Sequence, residues 1–184
     1  AATVAYIHPG NKLATIVTFN EALENQIARE IAMQVAAMNP IAVDECDVAE
    51  EIKEKEIAVA IEKTKAELVQ KAVDAALTKA GINPAHVDSE DHMESNMAKG
   101  WITAEDVAKA KEIIATASAE KAANLNEAMI LNIAKGRLNK FLKESCLLNQ
   151  EYIWDKNFTV ASYLQSIDKD LTVTDFKRFT LRAE

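Results

Sequence analysis

The 184-residue sequence predicts an α+β fold: a small three-stranded antiparallel sheet with helices on one face, interrupted by a long antiparallel helical hairpin. Two observations support this prediction. Stretches rich in β-branched and aromatic residues lie near both ends of the chain, and such residues favour strands. The middle of the chain is rich in Ala, Glu and Lys, which favour helices.

The chain is predicted to open with a β-hairpin. Residues 2–8 and 12–20 both contain the residue types that strands prefer. Between them lies Pro9-Gly10-Asn11, a cluster typical of a tight turn. The two runs are therefore predicted to pair antiparallel.

An amphipathic helix is predicted over residues 21–38. Its apolar residues recur every three or four positions and so share one face of a helix. They are Leu23, Ile27, Ile31, Val35 and Met38. Asn39-Pro40 should end the helix, because a residue that precedes proline disfavours the helical conformation.

A long helix is predicted over residues 44–80, which contain neither Gly nor Pro. Charged pairs such as Glu51 with Lys55 stand four residues apart and suit an exposed helix face. At 1.5 Å per residue this helix would be ~55 Å long. Gly81 and Pro84 should end it.

A second long helix is predicted after a connector at about residues 81–102, which we interpret as irregular and polar. Thr103 and Asp106 have the spacing of a capping box. Helical sequence then continues to about Ser145, with a break at Gly136. Two long helices joined in this way form an antiparallel hairpin, or coiled-coil arm.

The end of the chain is predicted to return to the sheet. Thr159 should cap a short helix with the sequence VASYLQSI, and residues 171–183 should form a last strand that joins the first hairpin. The predicted domains are therefore a discontinuous α+β core, residues 1–43 and 147–184, and an inserted hairpin, residues 44–146. This arrangement also predicts that the segments around Cys46 and Cys146 meet.

Composition limits the possible functions. The net charge of −8 argues against direct nucleic-acid binding, which requires a basic surface. No stretch has the length and hydropathy of a membrane span or a secretory signal. Two cysteines are too few for a disulfide framework, and reduced thiols in a cytoplasmic protein are expected. The sequence lacks an initiator Met and begins almost within a strand pattern, which suggests a fragment or a processed chain.

Catalytic and metal-binding signatures are absent from the sequence. It contains no glycine-rich phosphate loop, no HExxH or GxSxG motif and no Cys/His spacing typical of a metal site. Metal-ligating residue types do crowd the connector, but a solvated acidic surface is the favoured interpretation. They are His86, Asp88, Glu90, Asp91, His92 and Glu94. We therefore expect no cofactor, no metal and no bond-making catalysis.

Several motifs, in one order, resemble the elongation factor Ts family. They comprise a Tyr-x-His turn, a helix that ends in proline, an Asp-Val pair, a Gly-Arg-Leu-x-Lys-Phe stretch, a Leu-Leu-x-Gln stretch and a final Phe-x-Arg-Phe strand. Here they are Tyr6 and His8, Ile31 to Pro40, Asp47-Val48, Gly136 to Phe141, Leu147 to Gln150 and Phe176 to Phe179. The resemblance covers roughly residues 5–60 and 128–182.

The resemblance implies guanine-nucleotide exchange. Members of this family bind elongation factor Tu in its GDP-bound and nucleotide-free states and promote replacement of GDP by GTP. The family's N-terminal domain and first core subdomain, which carries a Thr-Asp-Phe-Val motif, have no counterpart before Ala1. Thr174-Asp175-Phe176 imitates that motif but lies in the predicted last strand, so its role is not transferred. Residues 65–125 exceed the family's usual arm, and this extension serves either protein contacts or no separate function.

The partner-binding residues implied by the resemblance are Tyr6, His8, Pro9 and Gly10. A histidine on a rigid turn can donate and accept hydrogen bonds with little loss of side-chain freedom. Two departures, Pro9 in the turn and Glu151 in place of a usual proline, alter the local geometry. Two other classes remain open: a structural module that self-associates into a homodimer through its sheet and arm, and a metal- or ligand-binding enzyme domain.

Overall fold

The structure, a computed structural model, describes residues 2–181. It divides the chain into two compact units, Ala1–Lys55 with Arg137–Glu184 and Glu56–Gly136. Three strands and six α-helices form the described chain, so the predicted α+β class is confirmed. No helix in the described range is both long and apolar enough to cross a membrane.

The first unit contains the predicted three-stranded antiparallel sheet. Its strands are β1 (Ala2–Ile7), β2 (Leu13–Phe19) and β3 (Val173–Thr180), in the order β1-β2-β3. Each neighbouring pair is antiparallel, and Thr15 of β2 lies between Tyr6 and Arg178. The hairpin and the return of the last strand are both confirmed. Of the last strand predicted over residues 171–183, the final two residues lie outside the described part of the chain.

One face of the sheet is covered by helix α1 (Asn25–Met38). Thr15, Val17 and Phe19 alternate along β2 with no exposed surface, as the two-residue period of a strand requires. Ile31 and Val35 of α1 are equally buried in the same core. The cluster formed by these side chains is the largest apolar contact in this unit and determines which face of the sheet is covered.

Helix α1 ends where the sequence predicts but begins later. It starts at Asn25 instead of residue 21, because Glu24 already has an extended backbone and supplies no side-chain cap. At the other end, Asn39 adopts a left-handed conformation with φ of 44°, and its N–H donates to the carbonyl of Val35. Pro40 follows directly.

Helix α6 (Val160–Ile167) confirms the prediction made from Thr159. The Thr159 hydroxyl accepts from the N–H of Ser162, while the Ser162 hydroxyl accepts from the N–H of Thr159. This reciprocal arrangement is a capping box with serine in the place of the usual Glu or Gln. Leu164 of this helix is fully buried in the core.

The predicted long helix begins six residues late. Helix α2 spans Glu50–Lys79, which is ~45 Å at 1.5 Å per residue. The carboxylate of Asp44 caps a short 3₁₀ turn, Glu45–Asp47, and the extended backbone of Val48 separates that turn from α2. The capping box of Asp44 therefore begins a different element from the one predicted.

The connector contradicts the interpretation of residues 81–102 as irregular and polar. It contains a 3₁₀ turn, Pro84–His86, and helix α3 (Glu90–Ala98). Its apolar residues are buried with residues of α2 and of helix α4 (Ala104–Ala123), and this cluster is the core of the second unit. Its buried members are Val73, Leu77, Ile82, Val87, Met93, Ile102, Val107 and Ala110. The many charged residues between them conceal this apolar set in the sequence.

The second long helix is two helices. The capping box of Thr103 and Asp106 is confirmed at the start of α4, but α4 ends at Ala123 and α5 spans Glu127–Ser145. The break lies at the asparagines: Asn124 donates to the carbonyl of Glu120, and the side chain of Asn126 accepts from the N–H of Met129. The break predicted at Gly136 is therefore wrong, because Gly136 lies within α5.

Residues near the two ends of the inserted segment pack together in the first unit. Ala42, Val48, Leu142 and Cys146 form a small buried cluster, and Ala42 pairs with Cys146 in a β-bridge. Cys46 is exposed and Cys146 is buried, both as free thiols. Burial, followed by the neighbouring carboxylates of Glu45, Asp44 and Asp47, raises the pKa of Cys146 to about 11.

Candidate partner-binding site

The turn that carries His8 is held by its own backbone. The N–H of His8 donates to the carbonyl of Leu13 at 2.9 Å, and the N–H of Asn11 donates to the carbonyl of His8 at 3.0 Å. Gly10 and Asn11 have φ values of 100° and 56°, a region that glycine and asparagine adopt most readily. His8, Pro9 and Gly10 are all exposed at the end of the hairpin.

The side chain of Tyr6 contacts that of His8. Its hydroxyl lies 3.0 Å from Nδ1 of His8, and the two rings meet edge to face with centroids 6.0 Å apart. The Tyr6 side chain is buried, and the guanidinium of Arg29 lies 5.6 Å from the centroid of its ring. Of the predicted residues, the structure therefore brings Tyr6 and His8 into direct contact and leaves Pro9 and Gly10 to shape the turn.

A shallow apolar cavity of about 250 Å³ lies beside this pair. Its wall is formed by β1, β2, α1 and a segment that follows α5. The lining residues are Tyr6, His8, Leu13, Met33, Ala36, Ala37, Ile153 and Trp154. Small-molecule pockets usually occupy roughly 300–1,000 Å³, so a single side chain of another protein suits this cavity better than a ligand.

Ile153 and Trp154 are candidate site residues that sequence reasoning missed. Both leave a large part of their side chains exposed, 38 % for Ile153 and 52 % for Trp154, although both are apolar. Exposed aromatic side chains are characteristic of protein interfaces. The available signal was the apolar Tyr-Ile-Trp that follows the Leu-Leu-x-Gln stretch, but no local pattern places it beside His8.

The loop that carries Trp154 is built on a buried tyrosine. The N–H of Tyr152 donates to the carbonyl of Phe158, and its ring stacks on Tyr163 at 4.1 Å. The Tyr152 hydroxyl donates to a carboxylate oxygen of Glu30 at 2.5 Å. Burial and then this contact with the Glu30 carboxylate raise the pKa of Tyr152. The loop is therefore tied to both α6 and α1.

The two histidines of the connector do not form a comparable site. His92 forms a hydrogen bond with Asp88, and both side chains are about half exposed. The ring of His86 lies 5.6 Å from that of Trp101. Across the described residues, no three His, Cys, Asp or Glu side chains are placed to hold a metal ion.

Comparisons with known proteins agree with the order of motifs. The family model described as Elongation factor TS matches residues 1–183. Elongation factor Ts of Bacteroides thetaiotaomicron is 71 % identical over 183 residues, covering 99 % of this chain and 56 % of that protein. That of Parabacteroides distasonis is 69 % identical over 185 residues, covering 100 % and 56 %. That of Porphyromonas gingivalis is 36 % identical over 184 residues, covering 100 % and 47 %. The chain thus spans about half the length of these relatives.

Proposed function

The chain belongs to the elongation factor Ts family, and on that premise we propose that it acts in translation elongation, as part of a guanine-nucleotide exchange factor for elongation factor Tu. The family match along the whole chain is the observation that carries this proposal. The exposed His8, held on a rigid turn beside an apolar cavity, supplies a surface suited to a protein partner. Such a factor works in the cytoplasm and needs no direct contact with nucleic acid.

The proposed mechanism is differential binding. The factor binds the nucleotide-free form of elongation factor Tu more tightly than the GDP-bound form, so it lowers the affinity for GDP and speeds its release. By the same linkage, GTP binding lowers the affinity of the factor for elongation factor Tu. No covalent bond is made or broken, so the activity requires geometry and affinity but no catalytic side chain.

Within this mechanism, His8 is the proposed contact residue. Its Nδ1 is occupied by the Tyr6 hydroxyl, which orients the ring and leaves Nε2 for the partner. Pro9 and Gly10 shape the turn around it. We propose residues 1–43 and 147–184 as the partner-binding core and residues 44–146 as an inserted helical arm.

Because the chain spans about half the length of its relatives, we propose that it binds elongation factor Tu weakly by itself and accelerates GDP release little. The decisive test measures release of a fluorescent GDP analogue from elongation factor Tu with this chain and with a full-length relative. Faster release with the full-length protein, and weak binding of this chain by calorimetry, support the proposal. Failure of both proteins to change the release rate contradicts it.

Self-association is a second candidate role, favoured by the other face of the sheet. Ile7, Ile16 and Phe179 are exposed there, and the strand register places Ala14 between Ile7 and Phe179. Burying such an apolar face against a second copy would stabilise a homodimer. Light scattering during size-exclusion chromatography distinguishes the mass of a monomer from that of a dimer. Phe179→Asp should abolish a dimer that uses this face.

A further inference from the structure

The side chain of Gln34 is completely buried on α1, and every polar atom of its amide is used in the loop that follows α5. Its Nε2 donates to the carbonyl of Glu151 at 2.9 Å and lies 3.4 Å from Oε1 of Gln150. Its Oε1 accepts from the N–H of Ile153 at 3.1 Å. One amide therefore holds two points of the backbone on either side of Tyr152.

These hydrogen bonds determine where Trp154 lies. Trp154 follows Ile153 directly, so the N–H held by Gln34 is one residue away from the exposed indole. The same helix holds the loop a second time, since Glu30 lies one helical turn before Gln34 and accepts from Tyr152. Trp154 thus faces the cavity shared with His8 through a backbone that is fixed from the buried side.

We propose that Gln34 is a positioning residue of the partner-binding surface, and that the residue it positions is Trp154, a contact residue for an apolar side chain of elongation factor Tu. This inference rests on the proposed function and identifies two residues that act in it. A contact surface held by buried hydrogen bonds loses little freedom on binding, which favours affinity.

The hydrogen bonds of its buried amide set Gln34 apart from an ordinary core residue. A buried glutamine is tolerated when its amide is fully hydrogen-bonded, and an apolar residue of equal length would fill the same space. An apolar replacement would, however, leave the Ile153 N–H and the Glu151 carbonyl without their partner. The expected consequence is a displaced loop as well as lower stability.

A double-mutant cycle with Gln34→Met and Trp154→Ala tests this proposal. Affinity for nucleotide-free elongation factor Tu is measured by calorimetry for the unaltered chain, both single variants and the double variant. Each single variant should bind about 10-fold more weakly, which corresponds to ~1.4 kcal/mol. The double variant should bind no more than about twofold more weakly than either single variant, because Gln34 acts through Trp154.

A fluorescence measurement separates positioning from stability. In a Trp101→Phe background the indole of Trp154 is the sole tryptophan of the chain. Gln34→Met should increase quenching of Trp154 by acrylamide at a temperature where the protein is fully folded. Thr15→Val is the matched control: it removes another buried hydrogen bond to α1, from Oγ1 to the carbonyl of Ala32, and should change neither quenching nor affinity. If Gln34→Met does not fold, Gln34→Asn replaces it in the same cycle.

Three results would overturn the inference. They are an unchanged affinity in Trp154→Ala, single effects that multiply in the double variant, and equal quenching of Trp154 with and without Gln34. Each of these, with measurable binding of the unaltered chain, refutes the positioning role and leaves the proposed function intact. Absence of binding by the unaltered chain and by a full-length relative refutes both.

Discussion

Removal of one hydroxyl group, by Tyr152→Phe, should destabilise the first unit measurably. Tyr152 is 1 % exposed and its hydroxyl donates to the Glu30 carboxylate at 2.5 Å. A hydrogen bond to a charged group contributes about 1.5–3 kcal/mol, and the stacking of the ring on Tyr163 is retained in the variant. We therefore expect the free energy of unfolding at pH 7 to fall by about 2 kcal/mol.

The same contact makes stability depend on pH in the alkaline range. The pKa of Tyr152 is raised in the folded protein by burial and by Glu30, whereas an unfolded tyrosine titrates near pH 10. Its contribution is therefore fully present below about pH 10 and is lost as the pH rises further, because the unfolded chain then releases a proton that the folded chain retains. The slope is at most about 1.4 kcal/mol per pH unit for one group.

Urea unfolding followed by circular dichroism at pH 7, 9, 10 and 11 measures both effects. The variant should show a lower midpoint at pH 7 and a shallower loss of stability above pH 10 than the unaltered chain. Glu30→Gln serves as the control, since it keeps an acceptor but removes the charge and should give a smaller loss at pH 7. An unchanged midpoint at pH 7, or parallel pH profiles above pH 10, would refute the reasoning.

Three further predictions concern single residues. His8→Ala should weaken binding to elongation factor Tu about 3- to 10-fold, because a hydrogen bond at Nε2 to the partner is lost; the fold should stay intact, with a slightly lower melting temperature because the Tyr6 hydroxyl loses its contact with Nδ1. Calorimetry that shows equal affinity would reject the contact. Thr159→Ala removes the cap of α6 and should cost about 1 kcal/mol in urea unfolding, whereas Thr159→Ser should cost little. Cys146→Ala should flatten the dependence of stability on pH between about pH 9 and 11. The pKa of Cys146 is about 11 in the folded protein and about 9 in the unfolded chain, so over this range the unfolded chain releases a proton that the folded protein retains, and stability falls as the pH rises. Identical profiles for the variant and the unaltered chain would contradict this.

The elements that the sequence predicts well are those whose signals are local. Thr159 predicts the start of α6, Pro40 marks the end of α1, and the Pro9-Gly10 turn separates β1 from β2. Each of these depends on hydrogen bonds or backbone restrictions within a few residues. Such contacts form in the same way whatever the rest of the chain does.

The elements predicted wrongly are those in which packing outweighs the local signal. The connector looks polar because acidic residues and histidines crowd its middle, yet Ile82, Val87 and Met93 are buried with α2 and α4. Gly136 looks like a helix break but lies within α5, whereas the actual break is at Asn124. Composition averages over such positions and therefore cannot reveal which few side chains face a core.

The sequence by itself determined the family, the α+β class and the turn that presents His8. The tertiary structure alone decided that Trp154 lies beside His8 and that Gln34 holds the loop that carries it. Trp154 is separated from both His8 and Gln34 by more than a hundred positions along the chain. Contacts over such distances arise from packing and long-range hydrogen bonds, which leave no periodic pattern in the order of the amino acids.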